Sequence, residues 1–113
     1  MALGVNTDGS QSATVTTEHT LATITSANVF QLLVDVSAMT SASGTDDRVE
    51  LREYMKARSG GTERLVKVYT LTGAQSELTV MTPPRVSAIS IKYTLKQTQG
   101  TSRTFEWAVY QAQ

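Results

Sequence analysis

The side chains best suited to chemistry are few. The one histidine, His19, stands between Glu18 and Thr20. A histidine works as a general base only when a partner orients its ring. Neighbours on a strand point to opposite faces, so neither Glu18 nor Thr20 can be that partner, and a surface strand position is the plainer reading. The chain has no cysteine, so zinc would need His19 and carboxylates alone. Asp46, Asp47 and Glu50, or Asp8 near Asn6, offer oxygens for calcium. Neither group has the spaced Asp/Asn ladder with a distant Glu that calcium loops carry, and both read as loop carboxylates. Glycoside hydrolysis needs two carboxyls across a cleft, and no pair stands out among the ten acidic residues. Gly60-Gly61 lacks the lysine and helix of a phosphate loop and reads as a hairpin turn. Trp107, Tyr110, Tyr69, Tyr93 and Tyr54 could stack on sugar rings. Trp107 alternates with Phe105 and Val109, which assigns it to the core, and Tyr110 to the opposite, exposed face. No catalytic, cofactor-binding or metal-binding residue is assigned, and no enzyme is expected.

Charge narrows the partners. Ten basic and ten acidic residues cancel, whereas a nucleic-acid binder needs a basic excess to displace counterions from phosphates. Arg48, Arg52, Lys56 and Arg58 are close in sequence but interleave with Glu50 and Glu53, which describes a solvated mixed-charge face. No apolar run approaches the roughly 20 residues of a membrane span. No basic segment followed by an apolar run opens the chain. Neither nucleic acid nor membrane is expected as a partner, and synthesis in the cytoplasm is expected.

Strands must position whatever site exists. Thr and Ser are over-used, charged residues make up only 18%, and Thr suits half-buried pleated surfaces. Residues 1–12 are small and polar and read as a flexible N-terminal arm; residues 13–113 read as one β-sandwich domain. Ala13 to Thr17 and Leu21 to Thr25 are short, Thr-rich candidate strands. Val29 to Val36 is a strand with Phe30, Leu32, Val34 and Val36 on one face. Asp46 to Ala57 fits either a helix or a strand whose alternation only Glu53 interrupts. The Ser59-Gly60-Gly61-Thr62 turn and the β-rich Leu65 to Leu71 favour a strand in a hairpin. Glu77 to Met81 is a short strand ended by Pro83-Pro84. Val86 to Tyr110 reads as two long strands joined by the turn at Gln97 to Arg103. Ile89, Ile91, Tyr93 and Leu95 face one core, joined by Phe105, Trp107 and Val109. The expectation is an all-β, antiparallel sandwich or jelly roll of seven or eight strands.

Thr20-Leu21-Ala22, Val29 to Asp35, Val49-Glu50-Leu51-Arg52, Thr94 to Thr98, Gly100-Thr101 and Phe105-Glu106-Trp107 follow one another in that order. The pattern resembles small virion structural proteins encoded among the head and neck genes of tailed bacteriophages. It spans about residues 20 to 107 and contains no catalytic motif. The resemblance implies a capsid decoration or cement protein that binds the head shell. Its partners would be the major capsid protein or other virion proteins, and its location the virion, after assembly in the host cytoplasm. Symmetric capsid positions suggest a homo-oligomer, trimer or dimer. A neck or tail-associated structural protein stays open beside this, as does a carbohydrate-binding module built on exposed Tyr and end loops. The arm, or the Thr-rich strand after it, would order by adding a strand to a neighbour.

Overall fold

The computed structural model describes residues 3–42 and 44–113. Among them nine strands form two antiparallel sheets: β1 (Leu3–Ser12), β2 (Glu18–Ile24), β3 (Asn28–Asp35), β4 (Arg48–Lys56), β5 (Glu63–Thr72), β6 (Thr79–Met81), β7 (Arg85–Ser87), β8 (Ile91–Gln99) and β9 (Thr104–Ala112). The first sheet runs β1-β9-β3-β6, with β7 also on β3, and the second runs β2-β8-β4-β5.

β6 and β7 lie end to end along one side of β3. Between them Thr82 continues the ladder: its N–H donates to the Leu32 carbonyl and its hydroxyl accepts from Leu32 N–H, both at 2.9 Å. Pro83 and Pro84 then interrupt the strand because neither has an N–H to give. Counted as one broken strand, β6 and β7 reduce the total to eight, in the order of a jelly roll. The pairs β1–β9, β2–β8, β3–β6/β7 and β4–β5 are nested. The chain is therefore one long antiparallel ribbon, turned back at the β4–β5 hairpin. Rolling it brings β9 against β3 and β8 against β4.

The alternation read from the sequence sets the core. Phe30, Leu32, Val34 and Val36 are buried, opposite Val49, Leu51, Ile91, Tyr93 and Leu95 from the second sheet, with Phe105 and Val109 beside them. The β4–β5 hairpin runs from Arg48↔Thr72 to Lys56↔Glu63 around the Gly60-Gly61 turn, with one bulge between Glu53 and Tyr54.

Five expectations change. β8 and β9 do not pair with each other. They lie in opposite sheets, and the run between them crosses the sandwich. Alternation says which face of a strand is buried, but two strands facing one core can belong to either sheet. Gln97 decides the crossing. Its buried side-chain amide donates to the carbonyls of Gln99 and Thr101 and accepts Arg103 N–H, which folds the loop over the sandwich end.

Residues 3–12 are not a flexible arm either. They form β1 in the first sheet, in register on β9 from Leu3↔Ala112 to Ser12↔Thr104. None of these side chains is fully buried, so backbone bonding holds a stretch whose composition gives no strand signal. Met1 and Ala2 lie outside the described residues. Conversely, Ala13 to Thr17 is the crossing from one sheet to the other. Val86 belongs to β7, leaving Ile91 to open β8.

Trp107 is half-buried against the core, not sealed inside it. It stands directly opposite Gly9 on β1, where a Cβ would come within 3.1 Å of its Cζ2. A side chain at position 9 would press the indole back by a few tenths of an ångström. Phe105→Ala is expected to cost about 3–5 kcal/mol in urea unfolding. Trp107→Ala should cost less, about 1.5–3 kcal/mol. Equal losses would put the indole as deep as the phenyl ring.

Candidate functional site

The predicted carboxylate group at the β3–β4 loop separates in the fold. Asp47 is buried, with 1% of its surface exposed. Its Oδ2 accepts from Thr40 N–H (2.9 Å) and Arg103 Nε (2.9 Å), and its Oδ1 from Thr101 N–H (3.0 Å). Asp46 caps Ala42 N–H at 2.8 Å, while Glu50 pairs with Arg52 on the outer face of the second sheet. Asp47 is thus a clasp between loops, its oxygens already taken by donors. Gly100 makes room for it. At φ +96° a Cβ there would come within 2.0 Å of Asp47 Oδ1.

His19 holds the crossing between β1 and β2: its Nε2 accepts Thr14 N–H at 3.1 Å, and its Nδ1 meets the Gln11 amide at 3.2 Å. Asn6 donates to Gln111 Oε1 (2.9 Å), and Asp8 sits opposite Ala108 with its side chain on the outer face. The charges of β4 divide as alternation requires: Arg48, Glu50, Arg52 and Lys56 face outward, and Glu53, in step with Val49 and Leu51, is buried. Its interruption of the β4 pattern was the visible signal; its partner was not. Glu53 Oε1 accepts from Arg85 Nη2 of β7 (2.8 Å) and the Tyr69 hydroxyl (3.1 Å). Burial pushes the Tyr69 and Tyr93 phenols up, with the Glu53 charge adding to both.

The two outer faces differ in kind. On the second sheet, Glu18, Arg52, Glu50, Tyr54 and Thr94 form one network. Beside it Lys92 pairs with Glu63 (2.8 Å) and lies 4.5 Å over the Tyr54 ring. Burial alone would raise the Glu18 carboxyl, but hydrogen bonds from Thr94 and Tyr54 and the Arg52 charge outweigh it, so the net shift is downward. On that face Glu18, Glu50, Arg52, Lys92 and Glu63 are paired with one another, Arg48, Lys56 and Lys96 extend into solvent, and Leu65 on the β5 edge is 48% exposed.

The outer face of the first sheet carries rows of apolar side chains: Leu3 beside Ala112, Val5 beside Tyr110, Ala108 beside Leu33 and Met81, and Val29 beside Val86. Cross-strand neighbours of this kind are about 5 Å apart, so the rows make a largely apolar patch, interrupted by Gln31 opposite Tyr110. Val86 is 72% exposed and Val5 51%. At one end the patch gives way to a hollow of about 410 Å³, lined by Asp8, Ser10, Leu33, Asp35, Glu106 and Ala108. Among the described residues, no group of three or more His, Cys, Asp or Glu is placed to hold a metal. Of the predicted sugar platform, Tyr93 is buried, Tyr54 and Tyr69 are bonded to Glu18 and Glu53, and Tyr110 lies half-exposed on the apolar face. The five aromatics are not brought together.

No protein family model matches the chain, and neither a curated protein nor a solved structure is significantly similar to it.

The Asp47 clasp has a pH consequence. Burial would raise its carboxyl, but the Thr40 N–H, the Arg103 guanidinium and the Thr101 N–H together hold it below the ordinary value. A depressed folded-state pKa stabilises the fold above the unfolded value of about 4. That contribution is lost as pH falls through the folded value. Asp47→Asn is expected to cost about 3–5 kcal/mol at neutral pH by leaving Arg103 and the loop donors without their ion. The variant's stability should also change less than wild type's between about pH 5 and 2. Parallel pH profiles from urea unfolding would show that Asp47 is not the group responsible.

Proposed function

We propose that the protein is a virion structural protein of a tailed phage, a head decoration or cement protein that attaches through the outer face of its first sheet. The carrying observation is the patch of Leu3, Val5, Leu33, Met81, Val86 and Tyr110, apolar and uncovered, where the opposite face is dominated by charged side chains. Contiguous exposed apolar surface rimmed by polar residues is the ordinary mark of a protein-binding site. The jelly roll adds a fold-level analogy, because capsid domains use it. The sequence pattern from Thr20 to Trp107 supplies the link to phage head and neck proteins. In this reading the rolled ribbon is a rigid plug, the major capsid protein covers the apolar rows, and no chemical step is required.

A second reading rests on the hollow. Three carboxylates beside Leu33 and Ala108, with Tyr110 farther along the same face, could take a sugar, and lectins share the jelly roll. A glycan screen separates the two. Binding lost in Tyr110→Ala would favour the sugar module.

Quantitative mass spectrometry of purified virions tests the first reading. Copies in proportion to the major capsid protein are expected; a few copies would place the protein at the neck or tail. Absence from particles would overturn the virion reading. Val86→Asp changes an exposed position, so stability should stay within about 0.5 kcal/mol while occupancy on the shell falls. Unchanged occupancy would move the contact away from this face.

A further inference from the structure

β1 is an edge strand held almost wholly by its backbone. Its ten residues include no fully buried side chain. What fixes it is the register on β9, from Leu3↔Ala112 to Ser12↔Thr104, broken by one bulge between Val5 and Thr7. Backbone hydrogen bonds do not depend on which copy of a chain supplies the strand. The same edge of β9 therefore accepts β1 of a second copy with nothing lost.

The connection from β1 to β2 favours that exchange. It crosses the sandwich in residues 13–17 and contains Thr16 at φ 72°, the one non-glycine with a left-handed backbone among the described residues. For a β-branched residue this is a genuine outlier, tolerated only because neighbours hold it. Thr16 N–H donates to the Gln97 carbonyl at 2.6 Å, Thr17 N–H to the Thr14 carbonyl at 3.0 Å, and Thr14 N–H to His19 Nε2 at 3.1 Å. If the crossing straightens, Thr16 returns to the extended backbone that β-branched residues prefer, and β1 swings clear of its own β9. A short connection under strain is the condition under which strands swap between copies.

We propose that β1 exchanges between two copies of this chain, each laying its β1 in the native register on the β9 of the other. The exchange rests on the strand and its connection alone and does not need the virion reading.

The chain has no cysteine, which makes cross-linking selective. Ser12 and Thr104 are both exposed, and their hydroxyl oxygens are 3.2 Å apart. Copies carrying Ser12→Cys and copies carrying Thr104→Cys are mixed under reducing conditions at high concentration, diluted, oxidised, and resolved by mass. In the closed form no thiol faces another, so collisions give a statistical mixture of the three possible dimers. Exchange puts the two different thiols opposite each other, and the mixed disulfide should exceed either self-linked dimer several-fold. A statistical mixture would overturn the proposal. With Thr16→Gly added to both copies, the left-handed backbone becomes unstrained. The mixed disulfide should then fall several-fold, and an unchanged yield would overturn the role given to the connection.

Discussion

The roll closes on a single buried carboxylate. Asp47 binds Thr40, Thr101 and Arg103 through its side chain, donates its N–H to the Thr40 carbonyl, and accepts Gly73 N–H on its own carbonyl. One residue thereby ties together the connection from β3 to β4, the turn after β5 and the crossing from β8 to β9. These connections pass between sheets or bound the hairpin, so their geometry decides which strand enters which sheet. An ion this deeply buried is tolerable only because every donor around it is in place. The absence of a side chain at Gly100 is part of that arrangement.

With the end of the sandwich pinned, polarity is divided between its two outer faces. The second sheet covers most of its exposed side with charged side chains, five of them paired with one another. The first sheet leaves Val5, Met81 and Val86 open to water. Removing such surface from water is favourable without any directional bond, so this side is where association gains most. Inside, the Glu53–Arg85 pair shows a related economy of placement. Arg85 of the short strand β7 reaches across the sandwich to a carboxylate on β4, linking a weakly paired edge to the opposite sheet.

Much of the strand content was legible in order. Phe30, Leu32, Val34 and Val36 on one strand, and Ile91, Tyr93 and Leu95 on another, announce their buried faces through a period of two. The β4–β5 hairpin was legible too, because its turn residues lie next to the strands they join. β1 was not. Gly4, Asn6, Asp8 and Gly9 carry no apolar period, and a strand fixed by its backbone leaves no mark in side-chain chemistry. The apolar outer face was equally hidden. Val5 is far in sequence from Met81 and Val86, and they come to share one face only when β1, β6 and β7 join one sheet.

The class of fold, the faces that meet in the core and the site of the β4–β5 hairpin could be read in advance, since each depends on residues close together in the chain. Only the packed fold fixes that β8 and β9 part into opposite sheets, that the inward Glu53 finds Arg85, and that Asp47 becomes a clasp. Those outcomes join positions dozens of residues apart. Alternation along a strand carries no information about which distant strand will satisfy its backbone or its charge.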